Sequence, residues 1–291
     1  MIKIISIIVP TYNRGHVIKR TIDNLLNQTI DDFEIIIVDD CSTDDTQHII
    51  KNYNDIRIRY YKNTVNMGAC YSRNRGIKLS HGDYIAFQDS DDLWDKNKLK
   101  KQLEFLSKYD ADVVFCKMEQ LDEYGQNYNI IPDRLIHNKN ISYDDLLKGN
   151  LISTQTILAK KICFSTVKFD ENLPRFQDWD LAIKLSMEYT VFFQDELLVT
   201  QYIQSDSITK NYFKAITALK IIYSKYYVKN NDRYSQYYYW NLLATCQYQV
   251  KDKNVINSYL KAFKYKKSFK LLIKIFLCRS NLLNLFLKVK R

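Results

Sequence analysis

The chain has 291 residues, 46% of them apolar and 26% charged, with only 6 Gly and 3 Pro. That composition supports a packed core and excludes wholesale disorder or long flexible linkers. The net charge of +10 is uneven: residues 211–291 carry +15 and residues 1–210 carry −5, so an acidic body is joined to a basic region expected to meet something anionic. Along the chain, Ile4–Val9 is a continuous β-branched run that reads as a buried parallel strand. Pro10–Gly15 reads as a loop and Val17–Gln28 as a helix. Phe33–Val38 is a second buried strand ending in Asp39-Asp40, and Ser42–Asp45 is expected to cap a helix through Ile50. Ile56–Tyr61, Gly68–Ser80 and Tyr84–Phe87 read as strand, helix and strand, the last ending in Gln88-Asp89-Ser90-Asp91-Asp92.

Alternating strands and helices predict an α/β fold with a mostly parallel sheet, whose ligands bind beyond the strand carboxyl ends. The polar clusters Pro10–Asn13, Asp39–Ser42 and Asp89–Asp92 are therefore expected on one rim, brought together from distant parts of the sequence. Beyond residue 92, Val113–Cys116 and Thr190–Phe193 are candidate strands and Asp180–Tyr189 a candidate helix. From about Tyr212 the pattern is helical and aromatic, with Tyr237–Tyr248 and Val255–Phe263 able to form a helical hairpin. A boundary is expected near residue 210, between a body of two halves, about 1–92 and about 93–210, and a basic helical region 211–291.

The six cysteines, at 41, 70, 116, 163, 246 and 278, lack metal-site spacing and read as free thiols in a reducing compartment. The N-terminal apolar run ends in Pro-Thr-Tyr-Asn without a small-residue cleavage site, so it does not read as a signal peptide. No stretch approaches about 18 uninterrupted apolar residues, so no transmembrane helix is expected.

Asp89 and Asp91, two residues apart as the chain leaves a strand, can face one site. Paired carboxylates suit Mg²⁺ or Mn²⁺ shared with substrate phosphates; a polar helix-capping loop is the alternative. Asp39-Asp40 can accept from a base N–H or a ribose hydroxyl, or be a solvated turn. The first strand is followed by no glycine-rich phosphate loop, which disfavours a dinucleotide-binding Rossmann domain or a P-loop. A nucleotide held without such a cradle needs a metal for its phosphates.

Ile7–Asn13, Gln28-Thr29 with Phe33–Asp44, Asn66–Gly68 with Ser72–Asn74 and Gly76, Gly82–Asp91, and Gln177–Leu181 together resemble family 2 inverting glycosyltransferases with the GT-A fold. The resemblance covers residues 3–205 and not the basic region. It implies an enzyme moving a sugar from a UDP-sugar to an acceptor hydroxyl in surface polysaccharide or glycoconjugate synthesis. Pro10, Tyr12 and Asp40 would border uracil and ribose, with Asp39 adjacent and Arg73 on the nucleotide side. Asp89 and Ser90 would lie near the donor's sugars, Asp91 would be the main metal ligand with Asp89 beside it, and Asp178 would be the general base. Thr154, Gln177 and Trp179 would lie on the acceptor side. Two departures stand out: Cys41 replaces the usual glycine, and Gln177 replaces a glutamate, removing one negative charge beside Asp178. Without the resemblance, Asp178 reads equally as an acid at a helix N-terminus, and Asn150–Thr156 as a polar-faced strand.

Lys264–Lys267, Leu271–Leu277 and Leu282–Arg291 alternate cationic and apolar runs. They suit an interfacial helix on anionic lipid, giving peripheral contact at the inner face of a membrane from the cytoplasm, or a helix packed on the body. The expected acceptor is a glycan or lipid-linked glycan. Nucleic acid is not expected, since no recognition motif accompanies the charge. Rival classes are a binding protein that kept the fold without turnover and an anionic-surface binder driven by the basic region.

Overall fold

The structure, a computed structural model, describes residues 5–122, 125–133, 136, 139–203 and 211–279. The expected boundary near residue 210 and the basic run Leu282–Arg291 lie outside those residues. The chain divides into two units: residues 1–143, 151–171 and 177–205 form one, and residues 144–150, 172–176 and 206–291 form the other.

Among the described residues, the first unit is built on a nine-stranded sheet. Strands β1 (Ile5–Thr11), β2 (Phe33–Asp39), β3 (Ile58–Lys62) and β4 (Tyr84–Phe87) lie in the order β3-β2-β1-β4 and are all parallel. Beyond β4 the sheet becomes mixed. Strand β8 (Ile157–Lys160) pairs antiparallel with both β4 and β6 (Val113–Leu121), and β6 runs parallel to β9 (Val191–Tyr202). The two-residue β5 (Leu93–Trp94) closes on β9, and β7 (Asn127–Ile131) hangs on β6, both antiparallel.

The apolar runs are continuous because both faces of the parallel part are covered. Ile5, Ile7 and Val9 share a core with Ile18, Ile22 and Leu25 of helix α1 (Gly15–Leu26), all fully buried; each such side chain contributes about 1.5–3 kcal/mol. Ile8 faces the other way, toward α3 (Ala69–Leu79), so closely that a Cβ at Gly76 would lie 2.4 Å from Ile8 Cγ2. Pro10, which donates no hydrogen bond, is tolerated in this central strand because pairing with β4 has already ended at Ile8, leaving only β2 beside it.

Helix α2 (Thr46–Lys51) starts differently from expectation. Its N-cap Asp45 makes no side-chain capping bond. Asp44 instead accepts from Thr46 N at 3.1 Å and, with its other oxygen, from Gly15 N at 3.0 Å, tying this loop to the end of β1. Helix α4 (Lys98–Tyr109) buries Lys98 completely. The ammonium donates to Gln102 Oε1 at 2.8 Å and lies 3.8 Å from the Trp94 ring centre, and burial pushes its pKa down to about 8. Short helices α5 (Tyr143–Leu147) and α6 (Cys163–Thr166) precede α7 (Gln177–Glu188).

In the second unit, α8 (Tyr212–Ile222) runs into a π-helical turn, Tyr223–Tyr227, and is followed by α9 (Arg233–Gln249), α10 (Val255–Tyr265) and α11 (Phe269–Arg279). Asn211 and Asp232 cap α8 and α9, accepting from Lys214 N and Ser235 N. Ala244, Tyr259, Ala262, Leu271 and Ile275 form this unit's core. The opposite face of α11 leaves Phe269, Leu272 and Phe276 exposed at helical spacing.

Two predictions follow from packing in the first unit. Gly76→Ala must push Ile8 aside and should cost about 1–3 kcal/mol by urea denaturation; an unchanged midpoint would mean that α3 is not seated on β1 as described. Lys98 has a folded pKa near 8 against 10.5 in the ordinary state, so the unfolded chain binds more protons between those values. Its burial therefore costs stability below pH 8, and the cost is relieved as pH rises toward 10.5. Lys98→Met should remove that part of the stability–pH slope; identical slopes in the two proteins would place the ammonium in water.

Candidate active site

Parallel register sets the carboxyl ends of β1, β2 and β4 on one edge, with Thr11 level with Asp39 and Ile8 level with Phe87. Asp89–Asp92 follows β4 as a turn, closed by Asp92 N donating to Asp89 O at 3.3 Å. The acids thus diverge from a turn rather than alternate along an extended strand. Asp89 accepts from the buried Arg73 guanidinium at 2.6 Å, whereas Asp91 lies 3.8 Å from Arg14. Ser90 is buried, and its carbonyl accepts from Thr21 Oγ1 at 2.9 Å. The Asp91 carbonyl accepts from Arg20 at 2.7 Å. Helix α1 therefore grips the turn by its backbone and leaves the two carboxylates, 28% and 21% exposed, facing outward. Asp92 points inward, accepting from Gln155 Nε2 at 2.8 Å and Tyr202 N at 3.3 Å. Burial, and after it the charges of Asp89 and Asp91, push Asp92 well above the usual carboxylate range.

The second acidic pair divides its work differently. Asp39 is fully buried; its oxygens accept from Ser42 N at 2.8 Å and Tyr60 Oη at 2.6 Å. Asp40 accepts from Asn63 Nδ2 at 2.7 Å, Met67 N at 2.8 Å and Gly68 N at 2.6 Å. A carboxylate offers about four lone-pair sites, so three donors leave Asp40 one acceptor position. Gly68 has φ +87°, a conformation glycine adopts without penalty, and this aims its N–H at Asp40. Cys41 has φ +68°, which explains why a glycine suits this turn; a side chain there costs about 1 kcal/mol. The β1 loop is laced to the same turn by Asn13 N to Ser42 Oγ at 2.9 Å and Thr43 N to Asn13 Oδ1 at 2.9 Å.

Asp178 lies in the first turn of α7, where carboxylates are favoured by the helix dipole, and one of its oxygens accepts from Trp179 N at 2.8 Å. Cys70, in α3 three residues before Arg73, has its thiol pushed up to about 11, first by burial. Thr154 begins a short 3₁₀ turn, Thr154–Thr156, tied to the acid turn through Gln155 and Asp92.

Several expected contacts take another form. Trp179 is fully buried. Asp39, fully buried, reaches the rim only by fixing the turn that carries Asp40. Pro10 is buried in β1, leaving Tyr12, 44% exposed, to present a face at the end of that strand. Thr154 is buried at 5% exposure, while Gln177 is half-buried. Sequence reading missed Arg14, Arg20, Thr21, Asn63 and Gln155. Their signal was positional: a cation in the turn after β1, a cation and a hydroxyl on α1, an amide at the end of β3, and a glutamine between two threonines.

The chain matches the glycosyl transferase family 2 model over residues 6–162. It is 33% identical over 226 residues to a putative teichuronic acid biosynthesis glycosyltransferase, TuaG, of Bacillus subtilis, covering 76% of this chain and 87% of that protein. Over 166 residues it is 32% identical to WfgD of Escherichia coli, a UDP-Glc:α-D-GlcNAc-diphosphoundecaprenol β-1,3-glucosyltransferase, covering 57% of this chain and 64% of the relative. Among solved structures, Staphylococcus aureus TarS 1–349 in complex with UDP-GlcNAc superposes with a TM-score of 0.67 at 20% identity, covering 91% of this chain and 81% of that one. A Pyrobaculum calidifontis mannosyltransferase in complex with GDP-Man and Mn²⁺ gives 0.63 at 15% identity, covering 97% and 80%. The sheet is that of the GT-A fold, and the chain belongs to glycosyltransferase family 2.

Proposed function

We propose that this glycosyltransferase is metal-dependent and inverting, and moves a hexosyl or N-acetylhexosaminyl group from a UDP-sugar to a hydroxyl of a surface polysaccharide or lipid-linked glycan. The observation that carries the reading is the division of labour in the acid turn. Arg73 holds Asp89 at 2.6 Å, and Asp91 presents a second carboxylate, 21% exposed, from the same turn, on the rim that also carries Asp40. The uridine donor and glycan acceptor are supported by the activities in the names of WfgD and TuaG and by the UDP-GlcNAc bound to TarS.

The donor set fits a hard divalent cation. Asp89 and Asp91 offer carboxylate oxygens from a turn, Asp89–Asp92, that holds no His or Cys, which favours Mg²⁺ or Mn²⁺. Among the described residues no group of three or more His, Cys, Asp or Glu could hold a metal alone. Asp91 would hold it directly with Asp89 alongside, and when bound it would stabilise charge developing on the departing diphosphate. Asp40 uses its remaining acceptor position for the base N–H, and Tyr12 offers the ring beside it. Arg73 keeps Asp89 oriented toward the donor's sugars. Asp178 takes the proton of the acceptor hydroxyl as that oxygen attacks the anomeric carbon from the face opposite the nucleotide. One displacement inverts that centre. Gln177 borders the acceptor, and Thr154 shapes that side through the turn it begins.

Phe269, Leu272 and Phe276 on α11, with Lys266, Lys267 and Lys270 nearby, suit peripheral contact with an anionic membrane carrying the acceptor. No helix among the described residues is long and apolar enough to cross a membrane. On this reading the enzyme works at the cytoplasmic face.

The test is UDP release from a panel of UDP-sugars with Mn²⁺, repeated with Asp178→Asn. At least one donor should turn over, and the variant should keep donor binding while losing about 10²-fold or more in rate. Full turnover by Asp178→Asn would remove it as the base, and no release from any donor by the wild type would favour a binding protein.

A further inference from the structure

Among the described residues Lys98 is the only lysine that the fold buries. Its place goes against two local preferences. It is the first residue of α4, where the helix dipole disfavours a cation. Among the described residues no carboxylate acts on its ammonium. A charge taken out of water without a counter-ion is costly, and conflicts of this kind concentrate where function requires them.

The ammonium sets the sense of one amide. It can only donate, so the fully buried Gln102 turns Oε1 toward it, at 2.8 Å. Gln102 Nε2 is thereby left to donate to the Thr156 carbonyl at 2.9 Å. Thr156 ends the 3₁₀ turn Thr154–Thr156, and Gln155 in the middle of that turn donates to Asp92 at 2.8 Å. The turn is thus held at Gln155 by the acid turn and at Thr156 by α4, and the second hold takes its direction from Lys98. The ammonium is itself fixed, 3.8 Å from the ring centre of Trp94 in β5. The donor side has separate supports. Asn24 of α1 brackets the Trp94 backbone, accepting from its N–H at 2.8 Å and donating to its carbonyl at 3.0 Å, while Thr21 and Arg20 hold the Ser90 and Asp91 carbonyls.

We propose that Lys98 is a positioning residue for the acceptor: by orienting Gln102 it fixes the turn Thr154–Thr156 against the acid turn, and it touches neither substrate itself. The assignment of that turn to the acceptor side rests on the transferase reading above. Thr156 O has one further partner, the Cys116 thiol at 3.7 Å, a weak donor that leaves Gln102 as the main hold.

The test compares the full chain with Lys98→Met and with the double variant Lys98→Met/Gln102→Leu. The double variant removes the buried charge together with its acceptor, a change that is near neutral for folding. UDP release from the donor that turns over is followed with Mn²⁺, varying first the donor and then methyl β-glucoside or methyl β-N-acetylglucosaminide as acceptor probe. In both variants the KM for the glycoside should rise by about fivefold or more, with the KM for the donor unchanged. Partial unfolding would lower kcat alone, so the split between the two KM values reads position and not stability. Hydrogen exchange of the peptide spanning residues 153–157 should quicken by about tenfold, with residues 20–24 unaffected. Unchanged glycoside KM, an equal rise in both KM values, or unchanged exchange at 153–157 would each overturn the proposal while leaving the transferase reading in place. A wild type that turns over no donor, or responds to neither glycoside, would overturn that reading and the acceptor role with it.

Discussion

Five carboxylates crowd the carboxyl edge of the parallel strands, and the rest of the site is arranged around their mutual repulsion. Asp39 and Asp40 are satisfied by neutral donors from the turn and the β3–α3 loop. Asp89 is paired with Arg73. Asp92 is taken inside, given amide and backbone donors, and pushed upward in pKa by burial and by Asp89 and Asp91. Asp91 lies 3.8 Å from Arg14, with its carboxylate partly exposed. On the reading proposed above, a cation added at this edge would relieve the repulsion between Asp89 and Asp91.

The fold makes that crowding affordable by fixing the turns from behind. Helix α1 and its N-cap residue contribute Arg20, Thr21 and Arg14 to the acid turn, and the 3₁₀ turn and β9 contribute Gln155 and Tyr202. The turn continues straight into β5, whose pairing with β9 anchors its far end. Such preorganisation matters because electrostatic groups that are already in place need not be reoriented when charge develops.

Much of this was legible in the residues. Strands β1, β2 and β4 announced themselves as apolar runs ending in polar clusters, and the α/β alternation placed those clusters on one edge. Other parts had no local signal. Strand β5 is two residues long, and β8 pairs antiparallel through contacts distant in sequence. The acids of Ser42–Asp45 resembled a helix cap, yet Asp44 bonds back to Gly15, a choice visible only once β1 and β2 are adjacent. Trp179 beside the expected base looked like an acceptor contact, but α7 turns it into the core. Side-chain direction on a helix depends on which face the sheet covers, and a short acidic motif does not encode that.

The most direct test is calorimetric titration of UDP into the wild type and Asp91→Ala, each with and without Mn²⁺. The account predicts that Mn²⁺ strengthens UDP binding to the wild type at least tenfold and leaves the variant's binding unchanged. Equal affinity with and without Mn²⁺ in the wild type, or the same enhancement in Asp91→Ala, would contradict it.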